Sequence, residues 1–325
     1  MAPVDVGTHD LVCHRRIITL SLIVLAATVA YLTFDVEASW DYALDLRGRQ
    51  LGALVVVGIS VGVSSLAFQT IAGSRILTPS VMGFDALYVL LQTFVVFVLG
   101  SATLQLMDAV TRFVLTTTTL CAFGLMLFGW LFRRHSRNLF VLVLVGIVLG
   151  SLFASLSTFA SRLLSPDDFL TLQTVLFASF NTVDGQMLVV TAVATALAVA
   201  ALVPLLRTLD VVALGRDHSI GLGVSYHAVV RAVLVLVTVL VATATALVGP
   251  MLFLGLLVAN LARQLIPTHR HILLVPAAAL VGVASTVIGQ LVVVHLFGWA
   301  TTLSVVINLI GGLYFIVLLL KATRL

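Results

Sequence analysis

Few side chains in this chain of 325 residues can do chemistry, and their spacing decides which reactions are open to it. Gly58-Ile59-Ser60-Val61-Gly62 has the Gly-x-Ser-x-Gly spacing of a nucleophile elbow, which needs a sharp strand-to-helix turn. It lies inside a charge-free apolar run where no such turn forms, so its two glycines are expected to be a close-packing face between helices. His269-Arg270-His271 offers two imidazoles, but no acid or cysteine stands nearby and the segment is basic. Cys13 and Cys121 are far apart, fit no metal-ligand pattern and read as structural thiols. A phosphate-cradling loop requires Gly-x4-Gly-Lys-Ser/Thr, and the only lysine is Lys321, near the end of the chain. No ATP site, metal or other cofactor is therefore expected on this polypeptide.

The elements that position these residues follow from composition. With 61% hydrophobic and 9% charged residues, the chain cannot cover a water-soluble surface. One helical crossing of a bilayer takes about 20 apolar residues. Such runs occupy 17–34, 51–72, 80–100, 113–132, 138–160, 187–206, 231–248, 250–262, 272–294 and 301–320. The seventh and eighth are separated only by Gly249-Pro250, which marks a tight turn between two short helices. The expectation is an all-α, polytopic transmembrane bundle of about ten spans: a short tail over 1–16, then one transmembrane domain over 17–325.

Charge orients the bundle, because short cytoplasmic loops collect Lys and Arg. Ten spans with both termini cytoplasmic put all but Arg47, Arg49, Arg112 and Arg162 of the 17 basic residues inside. Counting 231–262 as one crossing would move Arg263, Arg270, Lys321 and Arg324 outward and spoil that asymmetry. The first run follows His14-Arg15-Arg16 and resembles a signal peptide, but the alternation of sides that follows predicts an uncleaved span. Within the spans ionisable residues are scarce; Asp85 and His295 lie near helix ends, which speaks against a proton relay and a proton-driven carrier. Basic residues without interleaved aromatics give no reason to expect nucleic acid as a partner.

Three polar segments interrupt this pattern. "RILTPSVMGFDALY", residues 75–88, reads as an inner turn between the second and third spans. Thr78 is placed to cap the third helix, Pro79 to occupy its first position, and Asp85 to pair with Arg75 or with a partner subunit. The longest cytoplasmic segment, 207–231, has an apolar side at Val211, Val212 and Leu214 and breaks at Gly215, Gly221 and Gly223. With a polar tip at Arg216, Asp217 and His218, it is either a solvated loop or a short helix that docks in a partner's groove. Residues 165–184 look capped and amphipathic and are expected to form an outer gate helix.

Three stretches carry a family resemblance. Residues 207–231, including Leu214, Gly215, Arg216, Asp217, His218, Gly221, Leu222 and Gly223, are similar to the "LGxxxAxxLGV" coupling loop of the iron-chelate uptake permeases. That ATP-binding cassette importer family includes the vitamin B12 permease. "ALVGPMLFLGLLVANLAR", residues 246–263, resembles its "GPIxFxGLxxPHxAR" signature, with Ala259-Asn260 in place of Pro-His. Residues 74–83 stand where most members have "NPLAxPxxLG", and their wording resembles the branch for catecholate-type ferric siderophores.

The resemblance implies a mechanism and a set of partners. Two permease subunits, an unlike pair in this branch, enclose the pathway; separate ATPase subunits dock below; an extracytoplasmic siderophore-binding protein delivers cargo from outside. The cell envelope implied is a bacterial cytoplasmic membrane. Arg47 and Arg49 would meet the binding protein. Ser151, Ser155 and Thr158 on one helix face, and Ser304, Asn308 and Gly312 on another, either line the path or pack helices. Another large chelate such as haem or cobalamin, or an autonomous secondary carrier, are the alternatives.

Overall fold

The computed structural model describes residues 6–33, 40–134, 139–177, 179–180, 183–298 and 301–322. Among them are thirteen α-helices and no strand. Eight helices are long and apolar enough to cross a membrane, and two more, over Leu254–Leu265 and Leu303–Val317, are shorter and apolar. These ten correspond one to one with the ten apolar runs.

Backbone polar groups have no water to bond in lipid, so every crossing is helical and satisfies its own N–H and C=O groups. Helices α1 (Val6–Thr33) and α2 (Trp40–Ala72) lead to a short 3₁₀ turn, Pro79–Met82, and then to α3 (Phe84–Leu106). Helices α4 (Ala109–Arg134) and α5 (Leu139–Ser161) are followed by the short α6 (Pro166–Leu176) and by α7 (Gly185–Leu202). Two short pieces, α8 (Leu206–Val212) and α9 (Arg216–Gly221), precede α10 (Tyr226–Val248), α11 (Leu254–Leu265), α12 (His271–Phe297) and α13 (Leu303–Ala322).

Helix α2 is the axis of the molecule. Its apolar window is 67% buried, as is that of α10, and α12 reaches 56%, whereas α1 reaches 11% and α5 and α7 22% each. The Gly58/Gly62 pair explains how α12 comes so close. A Cβ at Gly58 would strike the backbone of Gly282, and one at Gly62 the carbonyl of Ala278. Small residues let two backbones approach in lipid, where packing rather than water exclusion drives association. Thr286 Oγ1, on α12, donates across this seam to Leu54 O at 2.9 Å. The packing face expected from the sequence is thus what the glycines form.

Gly249, at φ 97°, ends α10, and α11 turns back after it. With 12 residues α11 is about 18 Å long, only part of a 30 Å hydrocarbon core.

Candidate functional site

The inner turn departs from the sequence reading. Thr78 precedes the 3₁₀ turn rather than α3 and makes no side-chain cap; Pro79 opens that turn; Gly83, at φ 96°, is the N-cap of α3. Gly83 packs on Gly150, and Met82 on Gly146. Those glycines lie 7 and 11 residues into α5, roughly 10 and 16 Å up its axis at about 1.5 Å per residue. Pro79 and Ser80 border a small cavity with Ser64, Ser65, Gly249 and Met251. After Ala72 the chain therefore turns back into the bundle, and only its first residues stay at the basic face. Pro79 and Asp85 are interior residues, not parts of a surface turn. A glycine-lined groove on α5, met by Gly83 of the turn, makes room for them.

Asp85 is 7% exposed, and neither of its oxygens has a partner in hydrogen-bond geometry, although the Ser80 hydroxyl approaches it. Arg75 does not reach it: the expected Arg75–Asp85 pair is absent, because the turn carries the two residues to different depths. What fixes Arg75 is its backbone. Its carbonyl accepts from Gln69 Nε2 and from Asn260 Nδ2, both at 2.9 Å, while its side chain is exposed. Asn260, which replaces the histidine of the similar signature, thus ties α11 to the turn.

The segment 206–223 folds as the helix pair α8–α9. Leu209 and Val212 are buried, whereas Leu214, Ile220 and Leu222 are 60%, 46% and 64% exposed. Gly215 and Gly223 take positive φ at the two breaks. Ser219 Oγ reaches Val211 O at 3.0 Å and Gly215 O at 2.6 Å, which locks the corner. Arg216, Asp217, His218 and Gly221 lie on or beside this corner; all but the half-buried Arg216 are exposed.

A hydrogen-bonded relay that the sequence did not disclose anchors this pair to the spans. Asp210 Oδ1, on α8, accepts from the backbone N–H of His271 at 2.7 Å and pairs with its Nδ1 at 2.6 Å. It therefore supplies a cap that α12 does not supply for itself. A carboxylate only accepts, so Nδ1 carries the proton. Nε2 faces Thr70 Oγ1, on α2, at 2.8 Å, and Arg263 Nη2, on α11, donates to the same hydroxyl at 3.2 Å. His271, 1% exposed, is thus a structural link and not half of a metal site. No group of three or more metal-ligating side chains exists among the described residues. Thr70 and His271 stand 201 residues apart, a separation that no local pattern signals.

The remaining expected residues scatter. Arg47 is half-buried and donates to Tyr31 O at 3.2 Å, closing the end of α1; Arg49 is exposed. Ser151, Ser155 and Thr158 all lie on the exposed surface of α5; the Ser151 and Thr158 hydroxyls bond their own helix at Ile147 O and Ala154 O. On α13 the stripe divides: Ser304 is buried, Asn308 Oδ1 accepts from Phe253 N at 3.5 Å, and Gly312 has open space where a side chain would be. The segment 165–184 does contain a capped helix, α6, whose N-cap Ser165 accepts from Asp168 N at 3.2 Å. Beside α6 a recess of about 360 Å³ is bordered by Tyr88, Arg112, Phe113, Phe177 and Asp184.

The chain belongs to the FecCD transport family, whose model matches residues 16–321. It is 40% identical over 313 residues to the petrobactin import system permease protein YclO of Bacillus subtilis, covering 95% of this chain and 99% of that one. To the corresponding FatC of Bacillus anthracis it is 33% identical over 269 residues, 83% and 76% of the two chains. A metal-chelate type ABC transporter solved in an inward-facing conformation has the same fold. Its TM-score is 0.81 at 23% identity, over 95% of this chain and 99% of that one. The chain is therefore a multi-span permease subunit of an importer and not an enzyme.

Proposed function

We propose that this chain carries a ferric siderophore of the catecholate class, with ferric petrobactin the first candidate, across a bacterial cytoplasmic membrane. One observation carries this reading: identity of 40% with a petrobactin permease along nearly the whole of both chains. The sequence motif "RILTPSVMGFD", distinct from the usual family turn, supports the same branch.

In this reading 17–325 is one permease domain with both termini inside. It pairs with a second, unlike permease so that the exposed Ser151/Ser155/Thr158 face of α5 and the Asn308/Gly312 end of α13 border the shared path. The ATPase docks on Leu214, Ile220 and Leu222, and the Asp210–His271–Thr70–Arg263 relay passes its movement to α2, α11 and α12. Arg49 meets the binding protein, with Arg47 bracing the loop behind it, and α6 gates the outer opening. Exposed ion pairs at Arg49 contribute less than about 1 kcal/mol each, so they steer encounter more than they set affinity.

The test is to purify the chain with its co-assembled subunits in lipid nanodiscs and measure ATP hydrolysis with binding protein and a panel of iron chelates. Stimulation by ferric petrobactin or a related catecholate is expected. Stimulation by haem or cobalamin alone would overturn the cargo assignment.

A further inference from the structure

At the basic face a cavity of about 380 Å³ opens between the start of the 73–83 turn, α11 and the coupling pair. Small-ligand sites span about 300–1,000 Å³. Its charged and polar border is Arg75, Arg263, His269, Asn260, Gln264 and Thr268; no aspartate or glutamate lines it. The Arg75 charge lies close enough to repel that of Arg263. Arg263 is half-buried, and its Nε lacks a hydrogen-bond partner. The one acid bonded to a bordering residue is Asp210, and its Oδ1 is taken up by His271. Among the described residues neither arginine has a salt bridge, and the nearby carboxylate of Asp210 is paired with His271.

Two guanidinium groups facing one cavity repel each other unless an anion sits between them. Planar guanidinium forks match a phosphate's oxygens two at a time, with charge-assisted bonds about twice as strong as neutral ones. The Thr268 hydroxyl and the second Gln264 amide hydrogen add donors, the first Gln264 hydrogen being given to Tyr314, whereas both Asn260 amide hydrogens are taken by Arg75 O and Leu256 O. Arg16, in the first half of α1, extends this rim, since its Nη1 donates to Leu265 O at 2.8 Å. Anionic lipid on the cytoplasmic leaflet is drawn to such clusters.

We propose that the Arg75–Arg263 cavity binds a phosphate oxyanion, either free phosphate or the headgroup of an anionic phospholipid. The bound group bridges the start of the turn to α11. Ala213 and His271 also border the cavity, so it sits against the coupling segment and steadies that segment in one position. This site is independent of the cargo assignment.

The test uses the chain purified with the subunits that accompany it. Inorganic phosphate, titrated in lipid-free detergent against sulfate-free buffer, is expected to raise the melting temperature. Native mass spectrometry after exchange into phosphatidylglycerol or phosphatidylcholine nanodiscs is expected to retain one phosphatidylglycerol per chain. A phosphate response identifies the free ion as a ligand, and a lipid adduct identifies the headgroup; either supports the site. Arg75→Gln should weaken the retained ligand at least tenfold, because the Arg75 side chain is exposed and its structural contacts are through its carbonyl. Arg263→Lys, which keeps the charge but loses the fork, should weaken it less. Equal retention in wild type and Arg75→Gln would overturn the proposal. So would the absence of both responses together with loss of the ATPase subunit in Arg75→Glu, which would assign the cavity to a protein carboxylate.

Discussion

Residues 206–223 and residues 73–85 both begin at the basic face, yet they solve opposite problems. The α8–α9 pair locks its corner through the Ser219 hydroxyl, leaves only Arg216 Nε buried without a partner, and turns Leu214, Ile220 and Leu222 outward. The turn runs inward and leaves Thr78 Oγ1 and both Asp85 oxygens without partners. Three large apolar side chains held outward on a locked corner are the surface of a segment that meets another protein. A buried carboxylate held without partners is costly in lipid, where charged residues persist chiefly for function. The contrast shows that hydropathy alone does not sort docking surface from interior.

The contrast breaks most readily at Gly83. Its φ of 96° and its contact with Gly150 leave no room for a branched side chain, so Gly83→Val should prevent assembly, read as loss of the monodisperse complex in size-exclusion chromatography. At the other segment Leu222→Glu should leave the permease folded, with unchanged melting, but abolish co-purification of the ATPase. Weaker folding in that variant would mean that Leu222 packs inside this chain.

Asp210→Asn is expected to have a middle-sized effect. It removes the charge from two hydrogen bonds to His271, each worth about 1.5–3 kcal/mol when one partner is charged. Transport-linked ATP hydrolysis should fall several-fold while the ATPase still binds. If coupling stays intact, the relay is a brace and not a transmission element.

A pH effect belongs to α6. Hydrogen bonds from the Ser101 side chain, then Ser165, then the Ser101 N–H hold the Asp168 carboxyl below its usual range. A depressed folded value means that this stabilisation is complete above the ordinary aspartate value of about 3.9 and is lost as pH falls through the lower folded value. Hydrogen exchange in α6 should therefore rise below about pH 4, and Asp168→Asn should remove that dependence. The smallest effect is expected at Asp85→Asn. No ion pair or hydrogen bond in this chain is broken, so the melting temperature should not fall; a large loss would reveal a charged partner on another subunit.

The sequence makes the number of spans, the close seam at Gly58 and Gly62, and the coupling pair legible, since each rests on local apolar length, small-residue spacing or glycine breaks. The depth of Pro79 and Asp85 was not, because it depends on Gly146 and Gly150 of α5, more than sixty residues away. The relay escaped for the same reason: Asp210, His271, Thr70 and Arg263 come from four helices, and the His269-Arg270-His271 string read only as part of a basic loop. Small polar residues on α5 and α13 were visible as stripes, but which side of the chain they face is a tertiary fact.

The central claim is that this chain moves its cargo only when a separate ATPase drives it. Proteoliposomes bearing the chain and its companion permease, with and without the ATPase, should be given binding protein and radioactive ferric petrobactin. The account predicts uptake only with the ATPase and ATP, and none from an imposed proton or sodium gradient. Accumulation under an ion gradient without the ATPase would contradict it.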